Sequence, residues 1–245
     1  MHEYKHALIL PTLHATLPCL PSQELVCLGG GRTPTKDWLT QLFQQSEKGG
    51  TDRPILAIDR GVNICYALKL PPVHLIGDGD SASKAAWTWA ETQGAQVHSF
   101  PPKKDFTDTE LTLHIAAERF ARPLIILTGA FGGRLDHLMS TAAVAAHATI
   151  PCVLADEHET LFYLHAGESL TVTCDTAPRA ISLLPFTEEC TGVTTHGLYW
   201  ELRDACITNR ASLAISNVLA RENTKNTFTV SIKSGVLGVY LCCKE

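Results

Sequence analysis

The densest chemistry in the sequence is the segment VHLIGDGDSAS, in which Asp78 and Asp80 close an apolar run. Residues two apart on a strand project to the same side, so the two carboxylates face one space. Gly77 and Gly79 keep the backbone beside them bare. Carboxylates held so close repel, a divalent cation relieves the repulsion, and oxygen-only ligation suits Mg²⁺. A polar turn with Ser81 capping the next helix is the plainer account, but it needs no pair of aspartates.

Three further segments carry polar residues of complementary type. KDFTDTEL supplies Lys104, Asp105, Thr107 and Asp108. Thr107 with Glu110 reads as a capping box, and Asp108 is explained equally well by the helix dipole or by a ligand role. LTGAFGGRLDHL ends a buried run in glycines, with Gly133 just before Arg134, Asp136 and His137. Free helix N-terminal amides beside an arginine fork make a polyphosphate cradle; a surface Arg–Asp pair after a glycine turn is the alternative. Gly29-Gly30-Gly31 follows another apolar run but fits neither a P-loop nor a dinucleotide fingerprint, since Pro34 falls where the latter needs glycine. With Asp59 and Asn63 of IDRGVN, these groups each follow the end of an expected strand. In an open parallel sheet that edge is the ligand crevice, and the residue types describe a Mg–polyphosphate site.

The elements that must position them come from the hydrophobic pattern. Apolar runs at 24–30, 54–60, 73–78, 96–100, 123–129 and 151–156 alternate with helix-period segments. Strands without polar alternation, each followed by a helix, predict a parallel sheet covered on both faces. After residue 156 short strands with turn residues every eight to twelve positions take over, among them SLTVTCD, RAISLLPF, GLYWEL, SLAISNV, FTVSI and GVLGVYLCC. That spacing predicts a small antiparallel sandwich or barrel. The expectation is an α/β domain over 1–156, which would carry the Mg–polyphosphate site, and a β domain over 157–245.

Composition narrows the class. The 245 residues carry 20 Lys+Arg against 25 Asp+Glu, a net charge of −5, and are 45% apolar. This sustains a sizeable core and speaks against nucleic acid or an anionic membrane as partner. No window reaches the roughly 18 apolar residues of a membrane span. Nine cysteines form no CxxC pair and lie mostly in apolar runs, as small hydrophobes in a reducing compartment do. A cytoplasmic protein is expected.

The order IDRGVN (58–63), IGDGDS (76–81), KDFTDTEL (104–111) and GAFGGRLDH (129–137) resembles thiamine pyrophosphokinases, whose patterns run roughly ADGGAN, GDFDS, KDxTDxE and GxxGGRxDH. GLYWEL (197–202) and AISN (214–217) resemble elements of that family's vitamin-binding domain. The resemblance implies a Rossmann-like parallel-sheet α/β domain followed by a small antiparallel β-sandwich, in a homodimer with active sites at the subunit interface. It also implies transfer of pyrophosphate from ATP to the thiamine hydroxyl, giving thiamine diphosphate and AMP.

Carried over by position, Asp78, Asp80 and Asp108 would hold Mg²⁺ and, with Arg134, act on the reacting groups. Gly30, Asp59, Asn63, Lys104, Thr107, Gly133 and Asp136 would line the nucleotide side, and Ser216 and Asn217 the thiamine side. Trp200 could stack on the thiazolium, although a core tryptophan is the plainer expectation. Two positions depart from the pattern: Arg60 stands where glycine is common, and Gly79 where a bulky residue is usual. Arg60 either approaches a phosphate or crowds its loop. The competing expectations are a pyrophosphokinase for another hydroxymethyl heterocycle, such as a pterin, and a non-catalytic nucleotide or thiamine-diphosphate sensor.

Overall fold

The computed structural model describes residues 5–44, 53–100 and 105–244. The chain opens with a hairpin, β1 (His6–Leu10) and β2 (Leu13–Leu17), whose Leu8, Leu10, Leu13, Ala15 and Leu17 are buried. Then come β3 (Gln23–Leu28), α1 (Lys36–Gln44), β4 (Ile55–Ile58), a single 3-10 turn (Asp59–Gly61), α2 (Val62–Leu68) and β5 (His74–Gly77). α3 (Lys84–Thr92), β6 (Gln96–Ser99), α4 (Asp108–Arg119), β7 (Pro123–Thr128), α5 (Leu135–Ala146) and β8 (Cys152–Ala155) complete the alternating part. The remainder is all strand: β9 (Glu159–Leu164), β10 (Ser169–Cys174), β11 (Ala180–Pro185), β12 (Glu189–His196), β13 (Ala205–Thr208), β14 (Thr227–Ser231) and β15 (Leu237–Cys242).

Two compact units result: Pro21–Leu39 with Asp52–Asp156, and Met1–Leu20 with Thr40–Thr51 and Glu157–Glu245. In the first, the strands pair in parallel in the order β8-β7-β3-β4-β5-β6. The apolar runs are buried without alternation in β4, β5, β7 and β8, as strands covered on both faces require. From β3 the chain steps outward through β4, β5 and β6, then returns to the other side of β3 with β7. The order reverses between β3 and β7, and the crevice beyond their C-terminal ends is where such sheets take ligands.

The second unit holds two antiparallel sheets, β1-β2-β10-β14-β12-β13 and β11-β15-β9. β10 alternates as half-buried strands do, with Leu170, Val172 and Cys174 inward.

This unit corrects the sequence reading in two places. The first is the hairpin, which the 1–156 division put with the α/β domain. It instead extends the β unit, with Thr16 opposite Thr171 and Leu13 opposite Cys174. Pro11 sits in the turn between its two strands.

The second correction is that GLYWEL and SLAISNV are not strands. Their strand-type pairing is confined to isolated bridges at Leu198 and Asn217. Left-handed backbone at Gly197, Ala214 and Ser216 breaks both runs. Their place is taken by β12 and β13, overlooked because β12 opens on glutamates and is bulged around Gly192.

None of the nine cysteines is in a disulfide among the described residues. Burial pushes the Cys65, Cys152 and Cys174 thiols up to about 12, so these behave as small apolar groups. Leu13 is fully buried where β2 meets β10. Leu13→Ala is therefore expected to cost about 2–4 kcal/mol of stability, read as a lowered denaturant midpoint in chemical unfolding.

Candidate active site

The site is assembled by register. Ile58 of β4 pairs with Ile76 of β5, so the residues that follow each strand emerge side by side. Asp59 turns out of β4 with φ 48, a strained left-handed conformation for a non-glycine residue. Its carboxylate occupies the space beside Gly77, where a Cβ would lie 2.3 Å from Asp59 Oδ1. Gly77 itself has φ 138, so glycine is demanded there by both conformation and room.

Asp59, Asp78 and Asp80 thus bring carboxylate oxygens within 4.8 Å of one another. The Asp80 amide donates to Asp78 Oδ1 at 3.1 Å, closing the loop around the pair.

The electrostatics of this cluster are unfavourable on their own. Burial, reinforced by the Asp108 and Asp78 charges, pushes the Asp59 carboxyl up to about 6. Asp80 is likewise raised, first by its hydrogen bond to Asp78 and then by that charge. Asp59 Oδ1 is buried with no hydrogen-bond partner among the described residues. A buried orphan oxygen among converging carboxylates is what an oxygen-ligated divalent cation would satisfy, and the donor set fits Mg²⁺. Asp59 had been expected on the phosphate side; it joins Asp78 and Asp80, with Asp108 as its charged neighbour. Only the β4–β5 pairing exposes this, because Asp59 and Asp78 are far apart in sequence.

Beside the cluster lies a cleft of about 560 Å³, within the usual range for a small-molecule site. Gly30, Asp59, Arg60, Asp80, Thr107, Asp108, Gly133, Arg134 and His137 line it. Its floor is two glycine loops laid against each other: the Gly29 amide donates to Thr128 O at 2.8 Å, and the Gly31 amide to Gly129 O at 2.6 Å. A Cβ on Gly31 would come within 2.6 Å of the Gly129 and Phe131 carbonyl oxygens, so part of the glycine requirement is the contact between loops.

Thr107 caps α4, its Oγ1 accepting from the Glu110 amide at 3.2 Å. The capping box expected from sequence is therefore present in its threonine half, and it fixes where Asp108 stands. Arg134 is paired with Asp136 at 2.5 and 3.1 Å on the surface. The hydrogen bond from Arg134, with the His137 amide and the guanidinium charge behind it, holds the Asp136 carboxyl below the usual range. An exposed pair of this kind contributes little to stability, so a phosphate can take the fork from Asp136 at little cost.

Asn63 does not line the cleft. Its Oδ1 accepts from the Ser83 amide at 3.0 Å and so ties α2 to the start of α3. Lys104 lies outside the described residues. Gly79 is filled from outside, with the Trp87 ring 3.3 Å from where its Cβ would be.

In the β unit, Asn217 is buried and spent on backbone. It accepts from the Trp200 and Val218 amides at 3.2 and 2.9 Å and donates to the Trp200 carbonyl at 2.8 Å. Asn217 therefore shapes the loop that presents Trp200. That tryptophan is 59% exposed rather than in the core, with Tyr199 edge-on to it at 4.8 Å. Ser216 stands in left-handed backbone with its amide on Ser182 Oγ at 3.0 Å. A half-exposed aromatic pair on a hydrogen-bonded loop can stack on a cationic ring.

Comparison with known proteins gives a consistent picture. The family model described as "Thiamin pyrophosphokinase, catalytic domain" matches residues 51–153, and that described as "Thiamin pyrophosphokinase, vitamin B1 binding domain" matches 169–237. The thiamine pyrophosphokinase of Bacillus subtilis is 30% identical over 195 residues, covering 77% of this chain and 88% of the relative. Among solved structures, the thiamin pyrophosphokinase from Geobacillus thermodenitrificans is similar with a TM-score of 0.72 at 27% identity, over 91% of this chain and 98% of that one. That from Candida albicans, 15% identical, shares the fold with a TM-score of 0.71 over 89% and 90% of the two chains.

The raised Asp59 carboxyl has a pH signature. The folded group takes up a proton near pH 6, whereas the unfolded one does so near 3.8. The metal-free fold binds the extra proton in between, and its stability falls as pH rises through that window. Mg²⁺ is expected to raise the melting temperature strongly at pH 7.5 and little at pH 5. Asp59→Asn is expected to raise the metal-free melting temperature at pH 7.5 and to remove the Mg²⁺ response. Thermal-shift titrations across pH check both.

Proposed function

The chain belongs to the thiamin pyrophosphokinase family, and from that premise we infer that it transfers pyrophosphate from ATP to the hydroxyl of thiamine in a Mg²⁺-dependent reaction. The observation that carries the mechanism is the carboxylate trio of Asp59, Asp78 and Asp80, converging on an unsatisfied buried oxygen at the edge of the glycine-floored cleft. The thiamine hydroxyl oxygen forms a bond to the β-phosphorus, the bond from that phosphorus to the α-bridging oxygen breaks, and AMP leaves. The hydroxyl proton passes to a carboxylate of the cluster.

Phosphoryl chemistry of this kind needs mainly positioning and charge neutralisation. Asp59, Asp78 and Asp80 would hold the Mg²⁺, with Asp108 beside them; when bound, the ion neutralises the charge of the polyphosphate. Thr107 sets the start of α4, Gly30 and Gly133 let the phosphates approach backbone, and Arg134 exchanges Asp136 for a phosphate oxygen. Trp200 and Tyr199 stack on the thiamine ring system, on the loop held by Asn217. The match of residues 169–237 to a vitamin B1 binding domain favours thiamine over a pterin as acceptor.

The chain acts as a homodimer with active sites at the subunit interface. This reading is supported by Leu135 and Met139, one turn apart on α5 and 71% and 64% exposed. A cytoplasmic place accords with nine cysteines that form no disulfide among the described residues.

Incubation with ATP, thiamine and Mg²⁺ is expected to release AMP and thiamine diphosphate, and chelation of the metal to stop it. Asp80→Asn is expected to lower kcat by about 10²-fold or more with the fold intact by circular dichroism, in line with the loss of one electrostatic stabiliser of the transition state. AMP release with a pterin but not with thiamine would overturn the assignment.

A further inference from the structure

Arg60 is the residue of the cleft that the family pattern leaves without a role. It sits in the Asp59–Gly61 turn, next in sequence to a member of the carboxylate trio, and lines the cleft with Gly30 and Gly133. Its Nε donates to the Gly30 carbonyl, and its stem lies across Gly30, where a Cβ would be 2.6 Å from Arg60 Cγ and 2.7 Å from Nε. The absence of a side chain at position 30 therefore makes the seat for this arginine.

The other arginines at this edge already face carboxylates: Arg32 the buried Asp156 at 2.6 Å, and Arg134 the exposed Asp136 at 2.5 Å. Arg60 forms no ion pair among the described residues, although carboxylates stand beside it. An anchored Nε fixes the plane of the guanidinium and leaves its two terminal nitrogens for another acceptor. A planar fork of donors matches phosphate oxygens bidentately.

We propose that Arg60 grips the polyphosphate chain of ATP through its terminal nitrogens while Gly30 holds its Nε, making it a determinant of affinity for polyphosphate nucleotides. This rests on the pyrophosphokinase reading, and AMP release by the unmodified protein tests that reading separately. The probe is α,β-methylene-ATP, whose carbon bridge replaces the bond to be broken, with adenosine as the phosphate-free control. By calorimetry, Arg60→Gln is expected to weaken the analogue at least about tenfold, the scale of a lost charge-assisted hydrogen bond, and to leave adenosine nearly unchanged. KM for ATP is expected to rise in step, and Arg60→Lys to recover part of the loss.

Gly30→Ala, whose methyl would take the place of the Arg60 stem, is expected to weaken the analogue likewise. It is expected to add little in the Arg60→Gln background, because the two act as one unit. Unchanged analogue affinity in Arg60→Gln, equal loss for adenosine and analogue, or fully additive losses in the double variant would each overturn the proposal.

Discussion

Three carboxylates held against their own repulsion are the constraint around which the α/β unit is organised. Asp59, Asp78 and Asp80 would separate if the backbone allowed it. They do not, because β4 and β5 are locked in parallel register and each carboxylate follows the last paired position, Ile58 or Ile76, within four residues. Asp59 is placed at a further cost, since its left-handed φ is sustained only by the turn that follows and by the bare Gly77 beside it. Strain and unpaired charge in one spot make a poor structural element and a good cation site.

The glycines serve two ends at the same edge. Because the strand order reverses between β3 and β7, the loops after those strands meet over the crevice, and hydrogen bonds from Gly29 and Gly31 close them onto each other. Gly30, between them, clears the surface on which the Arg60 stem lies. Contact between loops and room for the arginine thus select glycine for separate reasons, and neither reason alone accounts for all of them.

The β unit reaches its functional loop by different means. Positive φ at Gly197, Ala214 and Ser216 prevents two apolar segments from joining the sheets. Asn217 then spends its buried amide on the Trp200 segment. The result is an exposed aromatic pair presented by a loop that is itself hydrogen-bonded like core.

Much of this was legible from residue order. The six parallel strands and the intervening helices follow from apolar runs and helical periodicity, since burial on both faces and on one face write different patterns. The pairing of Asp78 with Asp80 is local and needs only the two-residue repeat of a strand. What sequence did not hold was set by residues far apart in the chain. Asp59 entered the carboxylate cluster only through the β4–β5 register, and the first strands joined the β unit only through pairing with β10. GLYWEL and SLAISNV carry a strand's composition, but left-handed residues sustained by tertiary hydrogen bonds override it. Local patterns determined which elements exist and which residue types could do chemistry. Tertiary pairing alone decided which carboxylates converge and which arginines already face a carboxylate, because those outcomes depend on distances across the fold.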